Sequence, residues 1–521
     1  MASEVSRRQF LAVGATAMAG LGAVPLLSAC SGGSKNAAAS GSASGVPKSG
    51  GTLRFATSGG TPRDTVDPAT SSSAFAIVSA GLLYDTLLRA DADFKLSPAL
   101  ATEWSANATV DTWTFLIRDG VKFHDGRSLT ASDVAFSIKR VLDPKIASGQ
   151  LSNLSPFLDV SGISTPDPRT IKFALTSPNA FFPVILTSVA FGIVPDGTVD
   201  FSKGIGTGPF KLASFSAAAN ARYIRNDSYW VGGGRPYLDA VQISTVTEDA
   251  TRIQSLLAGS QDVIDTVTGS SIALLKGPAV PLSIPAGGWV DLAAWGDTKP
   301  FNDPLVVDAM KYAQDRQKIM DVVAPGLNSI GPDIPVPRSD PFYPADLEPR
   351  GYDPDKAKGL LKQAGYGDGL DLTLYAYPGD KLDCAITYKE TAKPAGINVN
   401  IVNWPHATYW DQVYLKKDFI GDSWARLHTS TTLLEAFQSQ SSSNESHFKS
   451  PEVDMLLANA VKTVDQSKQQ QLFGDALHII DKSAACLIPG WEPQVYGVGT
   501  KVKGLVVANG LQANFDGVYF A

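Results

Sequence analysis

The stretch 204–239, GIGTGPFKLASFSAAANARYIRNDSYWVGGGRPYLD, constrains the chain more than any other. Gly204, Gly206, Gly208 and Pro209 open onto two strand-like runs, FKLASF and ARYIRN. An aromatic turn, Tyr229-Trp230 with three glycines behind it, leads to a third run near 241–246. Short extended runs separated by Gly/Pro punctuation predict antiparallel sheet. The Gly-x-Gly-x-Gly spacing invites comparison with a phosphate loop. That fingerprint needs a strand before the glycines and a helix after them; here a strand follows, which argues against a nucleotide site.

At 521 residues the chain exceeds what one hydrophobic core serves, so two or three domains are expected. A net charge of -7 argues against nucleic acid, which calls for a basic face. The N-terminus reads as a targeting segment. Ser6-Arg7-Arg8-Gln9-Phe10-Leu11 fits twin-arginine export, and the apolar run behind it ends in Leu27-Ser28-Ala29-Cys30. That ending resembles a bacterial lipobox, with Cys30 as the lipidated residue. Residues 31–50 are small, polar and free of aromatics, a flexible tether. Two acyl chains on Cys30 suffice for stable anchoring.

Folding is expected to start with a strand at 52–56 and a helix at 74–88. Thr130 caps the helix that runs to about 141. From 299 onward the pattern changes to helix–strand alternation, predicting a second α/β lobe. The run 303–323 reads there as a single helix. Catalytic constellations are absent: no Gly-x-Ser-x-Gly, no His-Glu-x-x-His, no Cys-x-x-Cys and no Gly-Lys-Ser/Thr loop. The five histidines are scattered rather than paired, so neither a metal nor a cofactor is expected. Cys384 and Cys486 either pair or remain two buried thiols; both readings stay open.

Three stretches together resemble the family 5 extracellular solute-binding proteins, the peptide, nickel and opine receptors of ABC importers. They are 204–239, LSPALATEWSANATVDTWTFLIRDGVKFHDGRSLTASDVAFSIKRVLDP at 96–144, and KPFNDPLVVDAMKYAQDRQKIMD at 299–321. The resemblance covers essentially all of 51–521. It implies an α/β, two-lobed periplasmic-binding-protein-like fold (type II, the large three-domain variant) with mixed sheets and a hinge. The first lobe would comprise 51–84, 206–296 and 496–521, with an inserted subdomain at 85–205. The second would be 297–495, with crossovers near Gly296 and Val495. The implied function is capture of a peptide-like or opine-like solute between the lobes by a monomeric lipoprotein on the outer face of the cytoplasmic membrane. Delivery would be to a membrane permease, without catalysis. A chaperone or surface-interaction module on the same scaffold is the rival reading, ahead of a secreted enzyme.

Peptide-binding relatives carry a tryptophan followed three residues later by an aspartate for the ligand α-ammonium. Here Trp424 holds the tryptophan position, Leu427 stands where the aspartate would be, and Arg426 precedes it. A guanidinium suits a carboxylate or phosphate oxygen pair, so an anionic or N-blocked solute is expected. Trp424 is expected as a pocket wall. His428, Asn444, His447 and Thr61 are further cleft candidates, as are Trp295 and Trp491 at the two crossovers. Tyr229-Trp230 and Trp113-Thr114-Phe115 are assigned to packing.

Overall fold

A computed structural model describes residues 47–508, 510 and 512–521. The twin-arginine segment, Cys30 and all but the last residues of the tether lie outside the described residues.

Twelve strands share one sheet. Its path runs from Ile397–Asn403 and Leu370–Ala376 through Phe419–Ala425, Ala279–Ala294 and Gly490–Gly499. It ends on Val263–Ile264, Thr52–Thr57, Ala240–Thr245, Asn220–Arg225 and Phe210–Ser216. The three runs read from 204–246 are the last three of these, joined antiparallel. The two lobes are thus the two ends of one sheet, and the strands Ala279–Ala294 and Gly490–Gly499 pass through both. Pairing between them slips in register between Ile284 and Gly288. A Cβ on Gly287 would lie 2.5 Å from the Gln494 amide nitrogen, so only glycine fits where the strands pinch together. Residues from Gly288 onward already pair with Phe419–Ala425 in the second lobe. The first crossover therefore falls at 285–287 rather than near Gly296; a strand holding Pro281, Pro285 and two glycines does not look continuous in sequence. The second strand crosses near Glu492, close to the expected Val495.

The segment 85–205 builds its own antiparallel sheet in the order Ala101–Ala106, Thr112–Ile117, Thr170–Ala174, Ile163–Asp167. The helix Ala131–Leu142 packs on it around Phe115, Ile138, Phe173 and Phe182. Thr130 and Asp133 close that helix with a reciprocal capping box. In the second lobe alternate strand residues feed two cores. Val290, Leu292 and Phe419 face one side, and Trp289, Ala293 and Ile420 the other.

Gly206 and Gly208 lie against the end of the helix Ala74–Leu83, where a Cβ on Gly206 would sit 2.1 Å from the Leu83 carbonyl oxygen. The His124 ring reaches the carbonyls of Gly204 (3.3 Å) and Gly208 (3.0 Å). The glycine run thus serves close backbone packing. The run 303–323 is two helices, Pro304–Tyr312 and Arg316–Val323, because Asp315 accepts the Lys318 N–H at 3.1 Å and caps the second. Cys384 and Cys486 are free and buried, in cores on opposite faces of the sheet.

Candidate functional site between the lobes

In open α/β sheets, ligands bind outside the carboxyl ends of the strands. The first lobe's parallel pair, Thr52–Thr57 with Ala240–Thr245, ends at loops carrying Ser58, Thr61 and Asp249. The second lobe's pair, Leu370–Ala376 with Ile397–Asn403, ends at Tyr377, Asp380 and Lys381, and at Trp404 and His406. These two edges face one another. Burial first, then Asp383 and Asp249 of the other lobe, push the Asp380 carboxyl above the usual range, against the pull of Lys381. Glu492, on the crossing strand opposite Gly288, is pushed up to about 7 by burial and by Asp380. The Lys381 ammonium lies 5.6 Å from the Tyr377 ring centre. In the first lobe, burial raises Asp265 to about 6; it accepts the Ser58 N–H at 2.6 Å. Thr61 is exposed on this edge, its hydroxyl donating to Asp64 at 2.9 Å.

Trp424 lies at the same edge and forms a row across three strands with Trp289 and Trp491. Trp289 stacks parallel on Trp424 at 5.8 Å and tilts against Trp491 at 5.1 Å. The Trp424 indole N–H donates to Glu445. One register step deeper, Asp291 and Asp422 stand directly opposite each other. Burial holds Asp291 at about 6, against the pull of Cys486, Trp289 and Lys381. Burial, reinforced by Asp291, holds Asp422 at about 7, and burial with Asp291 and Asp422 holds Glu445 well above the carboxylate range. The Cys486 thiol donates to Asp291 at 3.5 Å. Asp291 and Glu445 line a cavity of about 10 Å³ with Trp289 and Trp424, room for about one water. Among the described residues, no group of three or more His, Cys, Asp or Glu is arranged to hold a metal.

The remaining candidates scatter. Arg426 follows Trp424, 3 % exposed, with its guanidinium 3.5 Å from both Asp340 and Asp93. His428 caps the helix Thr429–Ala436, accepting the Ser430 N–H, and its ring packs on Phe181 at 4.8 Å. Trp491 is buried within the tryptophan row. Trp295 lies seven residues beyond Gly288, about 23 Å along the strand. It stacks at 4.2 Å on His447, whose Nδ1 lies 3.0 Å from Asp297. Asn444 closes its own loop, Nδ2 donating to the Phe448 carbonyl at 2.7 Å. Trp295 and His447 therefore belong to the far end of that strand, because the chain crosses over earlier than expected, and Asn444 serves its loop rather than the cleft. Asp380, Lys381, Glu492 and the inner acids Asp291, Asp422 and Glu445 were not singled out from sequence. Asp422 sits two residues before Trp424, yet its burial comes from strands distant in sequence.

Two lobes on one sheet, joined by two crossing strands and meeting across facing strand ends, define the periplasmic-binding class of solute receptor. The family model for bacterial extracellular solute-binding proteins, family 5 (Middle), matches residues 95–444, and the chain belongs to that family. Heme-binding protein A of Haemophilus influenzae is 28% identical over 456 residues, 79% of this chain and 82% of that protein. The periplasmic binding protein DppA of Helicobacter pylori, solved with the peptide STSA, is similar at 26% identity and a TM-score of 0.78, covering 91% of this chain and 98% of that one. AgaA of A. tumefaciens R10, solved with agropinic acid, is similar at 25% identity and a TM-score of 0.76, covering 90% and 99%.

Proposed function

We propose that this chain is the solute receptor of an ABC importer, closing its lobes on a peptide-like or opine-like molecule and handing it to a membrane permease. The observation that carries the reading is the pair of facing strand ends, walled by Trp424 and reached by Thr61, in a chain of this family. DppA and AgaA, bound to a peptide and to agropinic acid, support that range of solutes. The Arg426 reading favoured an anionic or N-blocked solute, but that guanidinium is engaged by Asp340 and Asp93. Asp380 and Glu492 outnumber Lys381 along the cleft edges, while Asp249 is already paired with Arg252 at 3.0 Å. We therefore infer a solute with a protonated nitrogen, which compensates carboxyls that burial makes costly to ionise. Ligand favours the closed state only through contacts that differ between open and closed forms, so both edges contribute.

The leader and the Leu27-to-Cys30 ending support a lipid-anchored protein on the outer face of the cytoplasmic membrane. A thermal-shift screen over dipeptides, oligopeptides, opines, sugar acids and nickel chelates tests the function. Saturation at a hundredfold over Kd stabilises by about 2.7 kcal/mol. Hits among amine-bearing solutes, lost in Trp424→Ala, support the reading. Stabilisation only by anionic solutes that depends on Arg426 overturns the inferred charge preference, and binding only of unfolded polypeptides favours a chaperone.

A further inference from the structure

The inserted subdomain does more than decorate the first lobe: it also grips the second, at Arg426 just past the strand Phe419–Ala425 and at an aromatic socket around His428. In the turn between the strands Leu88–Ala90 and Leu96–Pro98, Phe94 takes a left-handed backbone (φ 59°). Arg426 of the second lobe lies 5.6 Å from the centre of its ring. The same guanidinium donates to the Ala92 carbonyl at 3.4 Å and pairs with Asp93 at 3.5 Å. Further along the subdomain, Phe181 enters an aromatic socket of the second lobe, 4.8 Å from His428 and 5.9 Å from both Phe342 and Phe473. Beside it the Ala180 N–H donates to the Val461 carbonyl at 2.7 Å, a main-chain bond between the two bodies.

The subdomain is tied to the first lobe by stronger means. Asp85 is buried and accepts from Arg89, Thr207, Tyr229 and Trp230 at 2.8–3.1 Å. His124 bridges the carbonyls of Gly204 and Gly208, and the glycine run packs on the helix end at Leu83. When the lobes part at 285–287, the subdomain must travel with the first lobe and let go of the second.

We propose that Phe94, Phe181 and the main-chain bond at Ala180, seated on Arg426, His428 and Val461, form a clasp that closes with the lobes and favours the closed state without touching solute. It goes beyond the receptor reading and does not depend on which solute is bound. Closed-state population sets apparent affinity, so loosening the clasp lowers affinity for every solute by the same factor.

Hydrogen exchange on the full chain without added solute tests this, since the Ala180 amide reports the clasp directly. In Phe181→Ala, the peptide carrying Ala180 is expected to exchange at least tenfold faster, with the strand Thr112–Ile117 unchanged. Phe94→Gly, which suits the left-handed backbone and removes the ring over Arg426, is expected to act in the same direction by about threefold. Unchanged Ala180 exchange in both variants overturns the clasp. If Phe181→Ala loses protection throughout the subdomain, Phe94→Gly alone decides. Any solute found in the screen should bind Phe181→Ala about tenfold more weakly with its rank among solutes preserved; an altered rank order overturns the claim that the clasp avoids solute.

Discussion

A guanidinium between two carboxylates has little charge left for a third. That is the position of Arg426, and it separates the residue type, readable in sequence, from the use the fold makes of it. Two titrating residues of the second lobe pull stability in opposite directions with pH. Burial, with Arg426 nearby, pushes His428 down to about 4. Between about pH 6.5 and 4 the unfolded chain holds the extra proton, so this residue makes stability fall as pH drops through that window. Asp422 has the opposite sign. Its carboxyl keeps its proton to about 7 when folded, so its contribution is largest at low pH and is lost as pH rises towards and past 7. Asp422→Asn should therefore raise the unfolding midpoint at pH 8 and change little at pH 4. His428→Gln should do the reverse, stabilising at pH 4.5 relative to the native protein and not at pH 8. Urea titrations at the two pH values check both signs. Trp424 was legible because an aromatic in a known pattern announces itself. Asp422, two residues earlier, was not, since its partner Asp291 arrives from a strand more than a hundred residues away.

At the scale of elements, local chemistry that names its own partner was readable and long-range chemistry was not. The capping box at Thr130 and Asp133 and the three strands after Gly208 lie where the spacing puts them. The strand Ala279–Ala294 was missed because its prolines and glycines sit at a pinch between lobes. The helix Asp380–Ala392 was missed because its apolar residues follow no clear stripe. The break between Pro304–Tyr312 and Arg316–Val323 has a tertiary cause as well as a cap. Arg316 turns inward to Asp333, 2.5 Å away, and Arg350 shares that carboxylate at 3.4 Å. Asp333 also accepts the Ile488 N–H at 2.9 Å, locking helix, loop and returning chain together. Asp333→Ala leaves the buried Arg316 guanidinium without its carboxylate, while Arg350 keeps Asp481 at 2.8 Å, and is expected to cost about 3–5 kcal/mol. A lowered denaturation midpoint with an unchanged denaturant slope would bear this out; a loss below 1 kcal/mol would not.

For the whole molecule, two lobes and an insertion were legible from the family pattern, whereas the place where the sheet bends was not. The consequence is mechanical: the proposed closure would be a rotation within a hydrogen-bonded ladder, with its pivot where Gly287 meets Gln494. Small-angle scattering with a solute from the screen should show the radius of gyration decreasing on binding. Gly287→Val, which drives a side chain into the Gln494 backbone, should abolish that decrease while the helical circular dichroism stays native. A normal contraction in the variant would place the pivot elsewhere.

The strand Gly490–Gly499 joins the sheet of both lobes, and it follows its partner Ala279–Ala294 by nearly two hundred residues. Val263–Ile264 waits for Gly497 and Val498 to border it, and the tryptophan row waits for Trp491. On a ribosome, neither lobe can complete its sheet until the residues through Gly499 have been made. Until then the growing polypeptide carries open strand edges, which are exposed to wrong pairing. A truncation upstream of Gly490 would leave two unfinished half-sheets instead of a shorter receptor.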